Sequence, residues 1–205
     1  FTRQKTWQVS ESSLLSVLHE VYDLSSRQFP DWLKFELDAP SQDITLSCDP
    51  TQLSQMLQNL VYNAYQAAAD YKRIEAEVQL RLFGLELAEA RELNPQENEV
   101  SFFSNYLLAA GSYAVFQVSD NGPGLTEDIL EHIFEPFFKG SNNRKNSTGI
   151  GLHLSKKFID LHLGKIEIKS THGTEFMITL FKGSTHFNED QIIKEVELPE
   201  VELSG

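Results

Sequence analysis

Two asparagines, one aspartate and a glycine-punctuated helix start are the groups in this chain best suited to hold an anionic ligand. Asn59 and Asn63 lie four apart in a run of helical periodicity, so their amides share one helix face. Asparagine is costly to bury unpaired and is only a middling helix former. Two of them beside an apolar stripe suggest oxygens reserved for a metal ion or a phosphate, although amides bonded to a neighbouring loop would give the same pattern. Asp120 ends the apolar run at Val118 and leads into Asn121-Gly122-Pro123-Gly124. Glycines after a carboxylate let the main chain approach a ligand closely, which suits a nucleotide; ordinary tight turns collect the same residue types. Thr148-Gly149-Ile150-Gly151-Leu152 directly precedes a helical stretch, where unpaired backbone N–H groups and the positive end of the helix dipole can face an anion. Lys139, Arg144 and Lys145 place positive charge in or beside the polar stretch between Gly140 and Thr148, either for that anion or as solvated loop residues.

Composition bounds these readings. A chain of 205 residues can bury one full-sized core with some tail or insertion. With 17 basic and 30 acidic residues the net charge is −13, which argues against broad nucleic-acid binding. An anionic ligand therefore needs local help from helix termini, a few cations or a metal ion. Apolar stretches fall far short of the roughly 20 residues that span a bilayer, and no charged-then-apolar leader opens the chain, so neither membrane insertion nor a signal peptide is expected. Cys48 is the single cysteine, which excludes an internal disulfide and fits a reducing, cytoplasmic compartment. The six histidines lack zinc-site spacing. His162 falls near a helix C-terminus, and His19-Glu20 lacks the nearby proline that usually follows a phosphoacceptor histidine.

The positioning elements follow from periodicity. Leu14, Leu15, Val17, Leu18, Val21 and Tyr22 predict an amphipathic helix with possible caps at Ser10, Ser12 and Ser13. Leu33–Leu37 and Ile44–Cys48 read as two short strands around a Pro40–Asp43 turn. Asp49-Pro50-Thr51-Gln52 is a strong helix start, and Leu53, Met56, Leu57, Leu60, Val61, Ala64 and Ala68 give that helix a buried stripe, with Asn59, Asn63, Gln66 and Asp70 along its edge. Residues 72–112 read as an extended insertion. Val78, Leu80 and Leu82 alternate as a strand, Gly84–Leu93 has helical composition, and Phe102, Phe103, Tyr106 and Leu107 read as core contacts or a contact surface. Tyr113–Ser119 predicts a largely buried strand, and Thr126-Glu127-Asp128 opens a short helix with acids in its first turn. The three phenylalanines at Phe134, Phe137 and Phe138 look like the anchor of a flap. Leu152–Leu163 predicts a helix ended by Gly164, and Lys165–Ser170 and Glu175–Phe181 predict strands joined at His172-Gly173-Thr174. The domain is expected over 1–182, with 183–205 an acidic tail or linker.

In this order the motifs resemble a known family. Asn59-x-x-x-Asn63-Ala64, D-x-G-x-G at 120–124, F-x-P-F-F at 134–138, G-x-G-L at 149–152 and Gly173-Thr174-x-Phe176 look like the N, G1, F, G2 and G3 boxes of sensor histidine kinases. These boxes mark the catalytic ATP-binding domain, within the superfamily shared with DNA gyrase, Hsp90 and MutL. The resemblance covers about Leu14 to Leu180. It implies an α+β fold of the Bergerat type, a two-layer sandwich in which a mixed, mostly antiparallel sheet is covered on one face by helices. ATP and Mg²⁺ are the implied cofactors. The resemblance assigns Asn63 to Mg²⁺, Asn59 to the same site one turn earlier, Asp120 to the adenine amino group and Thr174 to the adenine end. Gly122 and Gly124 would pass the base. Thr148, Gly149, Ile150, Gly151 and Leu152 would form the lid hinge and phosphate-binding helix start, with Lys139 as a basic residue after the F box.

The departures concern phosphate contacts and the nucleophile. Gln66 stands where many members have Lys or Arg, and Ser147 lies near the absent first glycine of the G2 box. The superfamily's ATPases carry a glutamate where this chain has Asn59, and an amide cannot act as the general base for water. The implied partners are a dimerising phosphoacceptor-histidine domain of the same, longer protein and a response regulator or receiver domain. The parent would be a two-component sensor, of the hybrid or inner-membrane kind. The rival reading is an anti-sigma-like nucleotide-binding adaptor; Phe134–Phe138 and the charged stretch after it favour the kinase.

Overall fold

The computed structural model describes residues 9–71, 75–92, 100–103, 107–140 and 148–183. The expectations for Arg144, Lys145, Ser147, Tyr106 and the acidic stretch beyond Gly183 fall outside the described residues. In chain order the elements are β1 (Ser10–Ser13), α1 (Leu14–Ser26), β2 (Lys34–Asp38), β3 (Thr45–Cys48), α2 (Pro50–Asp70), β4 (Glu77–Leu87), β5 (Arg91–Glu92), β6 (Val100–Phe103), β7 (Leu107–Leu108), β8 (Gly111–Asp120), α3 (Glu127–His132), α4 (Gly151–Leu161), β9 (Lys165–Ser170) and β10 (Thr174–Phe181).

A sheet of six strands in the order β2-β4-β8-β10-β9-β6 forms one layer. β2 and β4 run parallel and the other neighbours antiparallel, giving the mixed sheet expected. Alternation along the strands sends every second side chain to the helical face. Leu80, Val118, Phe176 and Ile168 stand opposite one another across four strands, and all are buried. Against this row pack Leu14 and Leu18 of α1, Leu53, Leu57, Leu60 and Val61 of α2, and Phe158 and Ile159 of α4, in a single core. The opposite face carries a polar chain across strands. Arg81 Nε donates to Asp38 Oδ2 at 2.8 Å and Arg81 Nη1 to Gln117 Oε1 at 3.3 Å, while Gln117 Nε2 donates to Glu175 Oε2 at 2.6 Å.

α2 begins as its sequence requires. The Asp49 carboxylate accepts from the N–H groups of Thr51 (3.0 Å) and Gln52 (3.2 Å), and Pro50 takes the first helical position, where a missing N–H costs nothing. Of the three serines before α1, Ser13 is the cap, accepting from Ser16 N at 3.1 Å, whereas Ser10 and Ser12 belong to β1.

The structure departs from the sequence reading in three places. β2 and β3 do not pair around residues 40–43: β2 joins β4 in the main sheet, and β3 pairs with β1 in a separate two-stranded sheet. Strand composition announces a strand but not its partner, and a non-local pairing here outcompetes the adjacent one. The helical composition of Gly84–Leu93 is also overridden, because β4 runs on to Leu87 and Arg91–Glu92 pairs with β7. The ladder to β8, from Val78 opposite Asp120 to Leu87 opposite Gly111, supplies the hydrogen bonds that weak helix propensity cannot match. Finally, the chain after α4 turns at Leu163 (φ 48°), with Gly164 following at the next position. Leu163 N donates to Asp160 O (3.0 Å) and Gly164 N to Ile159 O (2.8 Å), the paired bonds of a Schellman ending.

Candidate functional site

The buried stripe of α2 leaves one edge facing away from the core, and of three positions four residues apart on that edge the outer two meet different parts of the chain. Asn59 Nδ2 donates to the carbonyl of Gly151, the first residue of α4, at 3.4 Å. At the other end, Gly122 lies so close to α2 that an added Cβ would come within 2.9 Å of the Ala67 carbonyl carbon. Asn63 falls between them, about 6 Å of helix rise from each. Its half-buried amide has no hydrogen-bond partner among the described residues, whereas that of Asn59 does. The two amides that the sequence could not separate therefore differ: Asn59 clasps α4 to α2, and Asn63 makes no such bond among the described residues.

The Asp120 turn is held from several sides. Asp120 Oδ1 accepts from Gly122 N at 2.8 Å. The next side chain, Asn121, accepts from Glu77 N (3.0 Å) and donates to Glu75 O (2.7 Å), tying the turn to the start of β4. Thr174 is buried and stands directly opposite Asp120 in the ladder, with Ser170 on its other side. Gly173 must be glycine: its φ is +122°, and a Cβ would sit 2.0 Å from the Asp120 carbonyl oxygen. Ser170, also buried, accepts from Leu125 N at 2.6 Å and donates to Gly173 O at 3.2 Å, so one hydroxyl joins the loop after Gly124 to the β9–β10 hairpin. Sequence reasoning missed Ser170 and Asn121. A signal for Ser170 existed: Ile166, Ile168 and Ser170 share the inward face of β9, and only the last is polar.

At the opposite end of the site, α4 starts without a side-chain cap at Ile150. The first helical bond runs from Leu154 N to Ile150 O, leaving the preceding N–H groups of Gly151, Leu152 and His153 without intrahelical partners. The Gly151 carbonyl is doubly used, accepting from Asn59 Nδ2 and from the buried Ser155 hydroxyl at 3.0 Å. Gly149 has φ +69°, and its carbonyl accepts from Phe137 N at 2.9 Å. The chain flanking both sides of residues 138–148 is thereby pinned together. Among the three phenylalanines, Phe134 packs on the core and Phe138 lies against the His132 ring at 5.7 Å. Phe137 is not the buried anchor its composition suggests: at φ 66° its backbone serves the Gly149 contact and its ring is 70% exposed. Lys139 and Thr148 are exposed at the rim.

His132 Nδ1 donates to Glu135 Oε1 at 2.9 Å, and the hydrogen bond to that carboxylate raises the pKa of the imidazole. His162 is fully buried, with Nδ1 2.8 Å from the Phe158 carbonyl, a helix-end role. Among the described residues no cluster of His, Cys, Asp and Glu could hold a metal ion. A cation here would have to rely on amide and ligand oxygens, the donor set that Mg²⁺ accepts.

Comparison with known proteins identifies the family. Residues 48–184 match the family described as histidine kinase-, DNA gyrase B-, and HSP90-like ATPase. The chain belongs to this family. It is 34% identical over 174 residues to the sensory histidine kinase/phosphatase NtrB of Klebsiella oxytoca, covering 82% of this chain and 42% of that protein. It is 29% identical to the sensor kinase CckA of Brucella abortus, covering 88% of this chain and 18% of that one. The chain thus spans less than half the length of these curated relatives. In fold it is similar to the nucleotide-free catalytic domain of histidine kinase ThkA, with TM-score 0.62, 23% identity and coverage of 85% and 96% of the two chains. Full-length ShkA in complex with AMPPNP superposes with TM-score 0.61 at 18% identity, over 88% of this chain and 33% of that one. Membership in an ATPase family makes ATP the nucleotide for this fold. No described helix is long and apolar enough to cross a membrane.

Proposed function

We propose that this chain binds Mg-ATP along the exposed edge of α2 and presents the γ-phosphate to a histidine on a separate dimerising domain of the same, longer protein. The phosphoryl group would then pass to a response regulator or receiver domain. The observation that carries this reading is the order of features along α2: the Asp120 turn at Ala67, the Asn63 amide with no hydrogen-bond partner among the described residues in the middle, and the uncapped start of α4 at Asn59. An adenine at one end, a cation in the middle and phosphates at the other end match that order.

In this reading Asp120 accepts from the adenine amino group, and a guanine would oppose its carboxylate with a carbonyl. Thr174 supports the adenine end, and Gly122 and Gly124 let the backbone pass the base. Asn63 holds Mg²⁺, which, when bound, neutralises phosphate charge. Gly149, Ile150, Gly151 and Leu152 offer backbone N–H groups to the phosphates, with Thr148 and Lys139 at the rim and Asn59 holding α4 in place. Phosphoryl transfer asks for positioning and charge neutralisation more than covalent help, and this arrangement supplies both. Asn59 is no base, so hydrolysis by water is slow and ATP is kept for the histidine.

Calorimetry with ATP and Mg²⁺ tests the reading. Wild-type chain binds in the micromolar-to-millimolar range, Asp120→Ala abolishes binding, and Asn63→Ala removes its dependence on Mg²⁺. Unchanged ATP affinity in Asp120→Ala would sink the adenine role. Incubated alone with labelled ATP, the chain acquires no phosphohistidine; stable label on the exposed His19 would overturn the assignment of the acceptor to another domain.

A further inference from the structure

His153 is the third residue of α4, and none of the assigned roles uses it. Its Nδ1 lies 3.0 Å from the carbonyl oxygen of Phe134, nineteen residues earlier in the segment that follows α3. A carbonyl can only accept, so Nδ1 carries the proton and donates. The side chain is half-buried at this junction, and Phe134 itself packs on the core. The first turn of α4 is therefore held from two directions by side-chain hydrogen bonds. Asn59 on α2 donates to the Gly151 carbonyl, and His153 donates outward to the Phe134 carbonyl. The N–H groups of Gly151, Leu152 and His153, which face no intrahelical acceptor, belong to that same turn.

We infer that His153 is a positioning residue: its Nδ1–H···O bond registers the phosphate-facing first turn of α4 against the Phe134 segment, and so sets nucleotide affinity through the phosphates rather than the base. The inference rests on the proposed ATP site. Its energetic scale is that of one neutral hydrogen bond, which corresponds to roughly a three- to tenfold change in affinity. The fully buried residues of α4 are Ser155, Phe158 and Ile159 on later turns, and Leu152 of the first turn also packs against the core, so the fold does not depend on this bond alone.

The test uses the whole chain and a pair of near-isosteric variants. Asparagine at position 153 can place an amide N–H where Nδ1 stands, and leucine of similar shape cannot. Affinities for Mg-ATP and for adenosine are measured by calorimetry, with a thermal melt of each variant. His153→Leu is expected to weaken Mg-ATP roughly three- to tenfold while adenosine affinity changes by less than about twofold. His153→Asn is expected to restore Mg-ATP affinity to within about twofold of wild type. Equal weakening of ATP and adenosine, equal behaviour of the two variants, or wild-type ATP affinity in His153→Leu each overturns the inference and leaves the ATP site standing. Absence of ATP binding by the wild-type chain overturns both. If His153→Leu fails to fold, the ATP-to-adenosine affinity ratio of His153→Asn decides: a ratio within about twofold of wild type supports the inference, and a larger fall overturns it.

Discussion

At the scale of single residues, the two asparagines of α2 differ where their spacing alone leaves them alike. Asn59 is a donor to the Gly151 carbonyl, and that bond requires an N–H. A carboxylate of the same shape would oppose the carbonyl oxygen. Asn59→Asp is therefore expected to destabilise the fold by about 1–3 kcal/mol, the scale for breaking a part-buried hydrogen bond, and to weaken Mg-ATP binding by loosening the start of α4. Denaturant unfolding and calorimetry check the two arms. A variant as stable as wild type would mean that the 3.4 Å contact contributes nothing.

Single helices show how locally their ends are decided. α1 is capped twice over: Ser13 accepts from Ser16 N, and the Asp43 carboxylate, from the loop before β3, accepts from Leu15 N at 3.1 Å. Hydrogen bonds from the Ser13 hydroxyl first, and from the Leu15 and Ile44 N–H groups, favour the charged form and hold the Asp43 pKa below its usual value. The sign follows: a depressed folded pKa gives stability that is present above the unfolded carboxyl value and lost as pH falls through the folded one. Asp43→Ala is expected to cost about 1 kcal/mol at neutral pH. That difference should shrink in acid as wild-type Asp43 protonates, as urea unfolding at neutral and acid pH would show.

The end of α4 carries an avoidable strain. Leu163 occupies the left-handed region at φ 48° and is 66% exposed, so replacing it forfeits little burial. Leu163→Gly is expected to raise the melting temperature, by relief on the order of 1 kcal/mol. A lower melting point would show that the leucine makes contacts worth more than the strain.

Across the whole molecule, the single cysteine reports on global opening. Cys48 is fully buried at the end of β3, and burial raises its pKa to about 12. The thiolate is the reactive form, so native chain at mild alkaline pH should resist iodoacetamide and react at a rate set by unfolding. Denaturant should restore the rate of a free thiol; rapid labelling of the native chain would mean that the β1–β3 ribbon opens independently of the core.

What was legible in the sequence was local or periodic. Asp49-Pro50 announces α2, the apolar stripe from Leu53 to Ala68 orients it, and short apolar or alternating runs yield β8, β9 and β10. The glycine and asparagine motifs at 59–63, 120–124, 149–152 and 173–174 pointed to a family that the match over residues 48–184 shows. These signals survive in a bare sequence because helix period, strand period and caps act over a few residues. Tertiary structure alone decided which strand β2 joins, because pairing to β4 involves residues more than forty positions away. It also made Ser170 the link between the Gly124 loop and the hairpin, and separated Asn59, spent on Gly151, from Asn63. Hydrogen-bond partners distant in sequence leave no periodic trace. Which amide is bonded within the chain is settled only when α4 packs on α2.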